Sequence, residues 1–142
     1  MIIGAIVNGF VIDHIPAGRG MELYNYLRLS RLDCEVALIK NAPSQKYGKK
    51  DIIKINDIID LDYDIIGYID PHITVNVIKD GERVKKLHPE LPEKISGIVK
   101  CRNPRCITSI ENELRHEFKL TDRSEGIYRC IYCDTKAEKP KY

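Results

Sequence analysis

Four cysteines carry the plainest chemistry in this sequence: Cys101 and Cys106, then, after a spacer of 23 residues, Cys130 and Cys133. In a C-x4-C pair followed by a C-x2-C pair, each close pair can grip one side of a tetrahedral ion while the spacer folds between them, which is the spacing of a structural zinc site. Four thiolates fill every coordination position, so such an ion braces a fold and leaves no place for water or substrate. The expected cofactor is one structural Zn2+. Disulfides are the competing reading and fit poorly. They belong to small secreted proteins, and Met1-Ile2-Ile3-Gly4 lacks the charged start, long apolar core and cleavage site of a signal peptide. A redox role for Cys130-Ile131-Tyr132-Cys133 alone would leave the first pair unexplained. Cys34, in an apolar stretch far upstream, reads as a core residue.

The 142 residues allow one domain or two small ones. No run approaches the roughly 18 consecutive apolar residues of a membrane span, and the expected setting is the cytoplasm. Lys+Arg 23 nearly balance Asp+Glu 21, with a modest excess of bases from Lys94 onward and of acids before it. That tail, with Tyr128, Arg129 and Tyr132 near the cysteines, is the basis for an alternative reading as a nucleic-acid module. Against it, there is no dense Lys/Arg stripe interleaved with aromatics, and Glu111, Glu113 and Glu117 would face phosphates. Nucleic acid and membrane are therefore not expected partners. Catalysis lacks support as well: there is no glycine-rich phosphate loop, no open metal site and no nucleophile with an adjacent base. Asp13 and His14 are strand neighbours, which point to opposite faces.

The elements that must position these residues can be read in order. Ile2–Val7 and Phe10–Ile15 are strand-like runs around Asn8-Gly9, a hairpin-turn pair. Met21 to Leu29 places Leu23, Tyr24 and Leu27 at helical spacing. Glu35 to Lys40 reads as an interior strand and Asp51 to Ile55 as another. Lys50 and Lys54, four apart, share a face of the latter. A second helix is expected from an Asn56 or Asp57 cap, with Ile58, Leu61, Ile65 and Ile69 down one side, stopping at Asp70-Pro71. Gly67 weakens its last turn. Thr74–Ile78 and Glu82–Lys86 form a final hairpin around Lys79-Asp80-Gly81.

The pattern matches a β-α-β-β-α-β split unit with one extra strand. The fold class is α+β: an N-terminal ferredoxin-like sheet with two helices on one face, and a small C-terminal zinc-ribbon β domain. The proline-rich connector Leu87–Glu93 places the boundary between residues 1–93 and 94–142. Beyond it, Ile95–Lys100, Glu117–Leu120 and Gly126–Arg129 are the ribbon strands.

Three strings together resemble the aspartate carbamoyltransferase regulatory chain family: Val11-Ile12-Asp13-His14-Ile15-Pro16-Ala17, Gly48-Lys49-Lys50-Asp51-Ile52-Ile53-Lys54-Ile55 and Thr74-Val75-Asn76. The cysteine tetrad completes the match. The resemblance implies a non-catalytic, two-domain subunit. Its first domain (1–93) would bind the effectors CTP and ATP, and its zinc domain (94–142) would dock on the catalytic chain, controlling pyrimidine biosynthesis. It also implies a homodimer through the nucleotide domains, bridging catalytic trimers. Carried over by position, the effector contacts are Ala5, Ile6, Val11, Asp13, His14, Lys50, Lys54, Asn76, Ile78 and Lys86; the metal ligands are Cys101, Cys106, Cys130 and Cys133. The lysines suit phosphate oxygens, Asp13 and Asn76 suit ribose and base edges, and Ile6 and Val11 suit the apolar base. Asn103, Arg105 and Asp134 are candidate contacts to the catalytic chain, or ordinary surface. The chain also departs from the family: it starts almost at its first strand without the longer arm of some relatives, carries Gly4 in place of a glutamate, and has Gly81 where some relatives have a tyrosine.

The last hairpin makes a geometric demand. A two-residue Asp80-Gly81 turn pairs Lys79 with Glu82 and puts Asn76 and Lys86 on opposite faces, so that one of them would not touch the nucleotide. A shared ligand needs them on one face, so the expected loop is Lys79-Asp80-Gly81 with Gly81 left-handed.

Overall fold

A computed structural model of the chain describes residues 6–46 and 48–137. The chain divides into two compact units between Glu90 and Leu91. The first contains β1 (Gly9–Pro16), α1 (Gly20–Tyr26), β2 (Val36–Ser44), β3 (Gly48–Ile55), α2 (Tyr63–Ile69), β4 (Thr74–Lys79) and β5 (Glu82–Leu87). Its five strands form one sheet in the order β2-β3-β1-β4-β5, and every pairing is antiparallel. This is the expected split unit with β5 added at one edge.

Period-two alternation assigns the faces. Phe10, Ile12 and Ile15 of β1, Ile53 and Ile55 of β3 and Val75 of β4 are buried. They form the core against α1, which packs on β2 and β3 and touches α2. Val11, Lys54, Asn76 and Lys86 alternate with them and lie on the other face. Asp62 caps α2, its Oδ1 accepting the N–H groups of Asp64 (3.1 Å) and Ile65 (3.2 Å). Arg19, buried at the start of α1, donates to the Ile69 carbonyl (2.6 Å) and so ties the end of α2 to α1.

Several local expectations are corrected. The first strand of the expected opening hairpin lies largely outside the described residues, and Gly9 is not a turn residue: it pairs with Ile78 inside β1. A Cβ there would sit 1.9 Å from the Ile55 carbonyl oxygen, so close backbone approach is what demands glycine. Helix α2 begins at Tyr63, because the Asp57 carboxylate accepts only the N–H of the next residue (Ile58, 2.8 Å) and caps no turn, and Ile58 is exposed. Gly67 does more than weaken the helix: a Cβ would lie 2.0 Å from the Glu90 carbonyl oxygen. Strand β2 is an edge strand, not an interior one. Its apolar run Val36–Ile39 is only half-buried.

The second unit holds β6 (Lys94–Ser96), α3 (Ile107–Ile110), β7 (Glu117–Asp122) and β8 (Ile127–Cys130), with the strands in the order β6-β7-β8. Phe118, Tyr128 and Ile95 form its small core. Strand β6 stops at Ser96, before Gly97 turns left-handed (φ 71), so a loop and not a strand delivers Cys101. Among the described residues no helix is long and apolar enough to cross a membrane.

Candidate functional site

The four cysteines converge. Cys101 Sγ lies 3.5 Å from Cys133 Sγ, and Cys106 Sγ lies 3.6 Å from Cys130 Sγ. All four sulfurs fall within 4.8 Å of one another, and none is in a disulfide. A tetrahedral ion with metal–sulfur bonds of about 2.3 Å has sulfur–sulfur edges of about 3.8 Å, so the cluster is sized for one four-thiolate metal centre. The loop after β6 brings Cys101, the start of α3 brings Cys106, and the end of β8 with its following turn brings Cys130 and Cys133. Backbone N–H groups of Tyr132 and Cys133 point at the Cys130 sulfur, and that of Asn103 at the Cys101 sulfur. Thr108 Oγ1 (3.0 Å from Cys106 Sγ) and Thr135 Oγ1 (3.2 Å from Cys133 Sγ) complete the surround.

The electrostatics of the cluster call for a cation. Burial, with the neighbouring thiols, pushes Cys101 up to about 12. Burial also opposes ionisation of Cys133, but the Thr135 hydroxyl and backbone outweigh it and bring that thiol down to about 6. One thiolate forms readily, and further negative charge beside it is costly unless a metal ion is bound. His116 Nδ1 accepts the Cys101 N–H (2.9 Å), which fixes its proton on Nε2. Asn103 is engaged inside the loop, its Oδ1 accepting the Arg105 N–H (3.0 Å) and its carbonyl the Ser109 hydroxyl (2.7 Å). Arg105 and Asp134 are exposed.

The other sequence-picked residues gather on the open face of the first sheet. Lys54 pairs with Val11, Val11 with Asn76 and Asn76 with Lys86. Cross-strand partners share a face, so these four form one row across β3, β1, β4 and β5. Ile78 follows Asn76 on the same face, opposite Gly9. Asp13 follows Val11, and Lys50 Nζ meets its carboxylate at 3.0 Å, with both side chains largely buried. Asn76 Nδ2 donates to the Val11 carbonyl (3.5 Å), while the buried Asn76 Oδ1 has no partner among the described residues. Ile6 is buried. Ala5 lies outside the described residues.

Two bulges make this arrangement, and alternation could not reveal either. In β1 the ladder shifts between Ile12 and Ile15, where His14 takes φ 59. Asp13 and His14 therefore do not point to opposite faces: the His14 ring reaches Thr74 Oγ1 (3.0 Å), on the residue opposite Asp13. In β5 the expected three-residue loop is absent. Lys79 pairs with Glu82 across a two-residue turn, with Asp80 at φ 53 and Gly81 at φ 78. The ladder then shifts between Val77 and Ile78, skipping Val84, and this restores Asn76 opposite Lys86. The shared face is reached by a bulge, not by loop length.

Comparison with known proteins accounts for both units. Residues 1–90 match the model of the aspartate carbamoyltransferase regulatory chain, allosteric domain. Residues 93–141 match that of the same chain's metal binding domain. The chain belongs to the aspartate carbamoyltransferase regulatory chain family. A relative of that name from Clostridium botulinum is 53% identical over 134 residues, covering 94% of this chain and 92% of its own length. One from Clostridium acetobutylicum is 49% identical at the same coverage. One from Bifidobacterium longum is 43% identical over 138 residues, covering 97% and 99%. Members are the non-catalytic regulatory chain, so the chain's partner is a catalytic chain. The open face belongs to the allosteric domain and the cysteine cluster to the metal-binding domain.

Proposed function

We propose that this regulatory chain binds CTP and ATP on the open face of its first sheet, and that a zinc ribbon transmits the binding to the catalytic chain of aspartate carbamoyltransferase. The observation that carries the nucleotide reading is the row Lys54–Val11–Asn76–Lys86 with the unpartnered Asn76 Oδ1. A buried acceptor without a donor costs stability unless a ligand supplies one. A base or ribose donor suits it, and Lys50, Lys54 and Lys86 suit a triphosphate. Val11 and Ile78 offer apolar contact to the base, with Ile6 just before β1; Ala5 joins them by family position alone. Asp13 and His14 hold Lys50 and Thr74 at the phosphate end. The ion is zinc because four thiolates in a closed tetrahedron favour that metal among common divalent ions.

The first domains pair as a homodimer, supported by the apolar, half-buried edge strand β2, and the zinc domains join catalytic trimers. Zinc holds the loops that carry Arg105 and Asp134, the surface offered to the catalytic chain. A nucleotide that binds the two states of the assembly unequally shifts their balance by that difference, CTP toward the less active and ATP toward the more active.

Isothermal titration of CTP, ATP and a random oligonucleotide into the zinc-loaded chain tests the reading. Heat is expected with both nucleotides and none with the oligonucleotide, and Lys54→Ala should weaken CTP binding by about tenfold, the loss of one phosphate contact. Oligonucleotide heat without CTP heat would overturn it.

A further inference from the structure

Arg83 is brought to the open face by the bulge in β5. Arg83 and Lys86 are three residues apart, and an unbroken strand would send them to opposite faces. With Val84 skipped, Ile78 faces Arg83 while Asn76 faces Lys86. Arg83 therefore shares the face of Lys86, one row nearer the hairpin turn. It is exposed. Among the described residues Arg83 joins no ion pair.

The face is polarised along its strands. Lys50 with Asp13 stands at one end and Lys54 and Lys86 flank the middle. Ile78 stands at the turn end, where the chain entering β1 is stitched to the turn: the Val7 carbonyl accepts the Gly81 N–H (2.9 Å) and Asn8 Oδ1 the Asp80 N–H (3.1 Å). Ammonium groups suit phosphates, and an apolar side chain beside backbone polar groups suits a base. A nucleotide laid in that order brings its base edge, and not its phosphates, to Arg83.

We propose that Arg83 determines base specificity in this site. Its planar guanidinium presents parallel N–H donors that match two adjacent acceptors. Cytosine offers O2 beside N3, whereas each edge of adenine next to its amino group sets one acceptor beside a donor. Arg83 therefore favours CTP over ATP. The proposal rests on the nucleotide reading above, and its test separates the two.

The zinc-loaded full chain carrying Arg83→Leu or Arg83→Lys is titrated with CTP and with ATP beside the unsubstituted chain. Both variants should lose CTP affinity by roughly fivefold or more, as for one bidentate contact to a base edge, while ATP affinity changes less than twofold. Lys85→Ala, on the opposite face, should change neither. Equal losses for both nucleotides would assign Arg83 to the phosphates and overturn the proposal. Full CTP affinity in Arg83→Lys would also overturn it, because a point charge would then suffice, as would unchanged binding in both variants. An unsubstituted chain that binds neither nucleotide would instead remove the site itself, and the proposal with it.

Discussion

Asp51 shows how one buried carboxylate can shape a surface it does not reach. It is fully buried, and its two oxygens accept three backbone N–H groups: Gly18 (3.1 Å), Gly20 (2.9 Å) and Asn41 (3.0 Å). Asn41 (φ 59) belongs to a bulge in β2, and the β1 bulge at His14 faces Asp51 from the other side. Gly20 has to be glycine, because a Cβ would meet Asp51 Oδ2 at 2.7 Å. One carboxylate thus ties the β2 bulge to the entry to α1, and its neighbour Lys50 is aimed at Asp13. Asp51→Ala should lower the stability of the first domain by roughly 2–3 kcal/mol, since three backbone donors, that of Gly20 buried, lose their acceptor. Urea denaturation followed by circular dichroism measures this, and a change under 1 kcal/mol would mean that water replaces the carboxylate. The string containing Asp51 was legible as family, but its role was not. On a strand an aspartate reads as a surface residue, and only the fold shows three N–H groups converging on it.

Among the elements, the bulges in β1 and β5 and the start of α2 are where pattern and structure part. Hydrophobic alternation finds strands because every second residue must be buried. A bulge adds one residue without changing composition, so it leaves little trace in the pattern. Helix α2 begins later than expected because Asp62, and not Asp57, accepts the N–H groups two and three residues on, and tertiary packing buries Ile66 and Ile69 but leaves Ile58 in water. Gly67 belongs here too. Gly67→Ala should raise intrinsic helix propensity yet destabilise the domain by about 1–3 kcal/mol, because the added methyl meets the Glu90 carbonyl. Thermal melting that showed a gain would mean the segment ending in Glu90 moves away freely.

For the molecule as a whole, the two units depend on different forces. The first has a sheet-and-helix core of its own. The second is a three-stranded ribbon with a core of a few side chains, a size at which a metal commonly supplies the folding energy. Chelation, or Cys101→Ser, should therefore abolish the ordered second unit and association with the catalytic chain while the first unit still binds CTP. Proteolysis and sedimentation with the catalytic chain measure the first two effects, and calorimetry the third. Assembly retained without metal would contradict the role given to the ribbon.

The cysteine spacing, the strand and helix order and the family strings were readable from the residues alone, because ligand geometry and burial periodicity are local constraints written into sequence. The convergence of four sulfurs within 4.8 Å agrees with what that spacing already required. The composition of the open face was not local. Whether His14 stands with Thr74, whether Asn76 faces Lys86 and whether Arg83 joins them depends on single-residue shifts in strand register. Register is set by the whole sheet closing on its core, and each one-residue slip moves side chains from one face to the other.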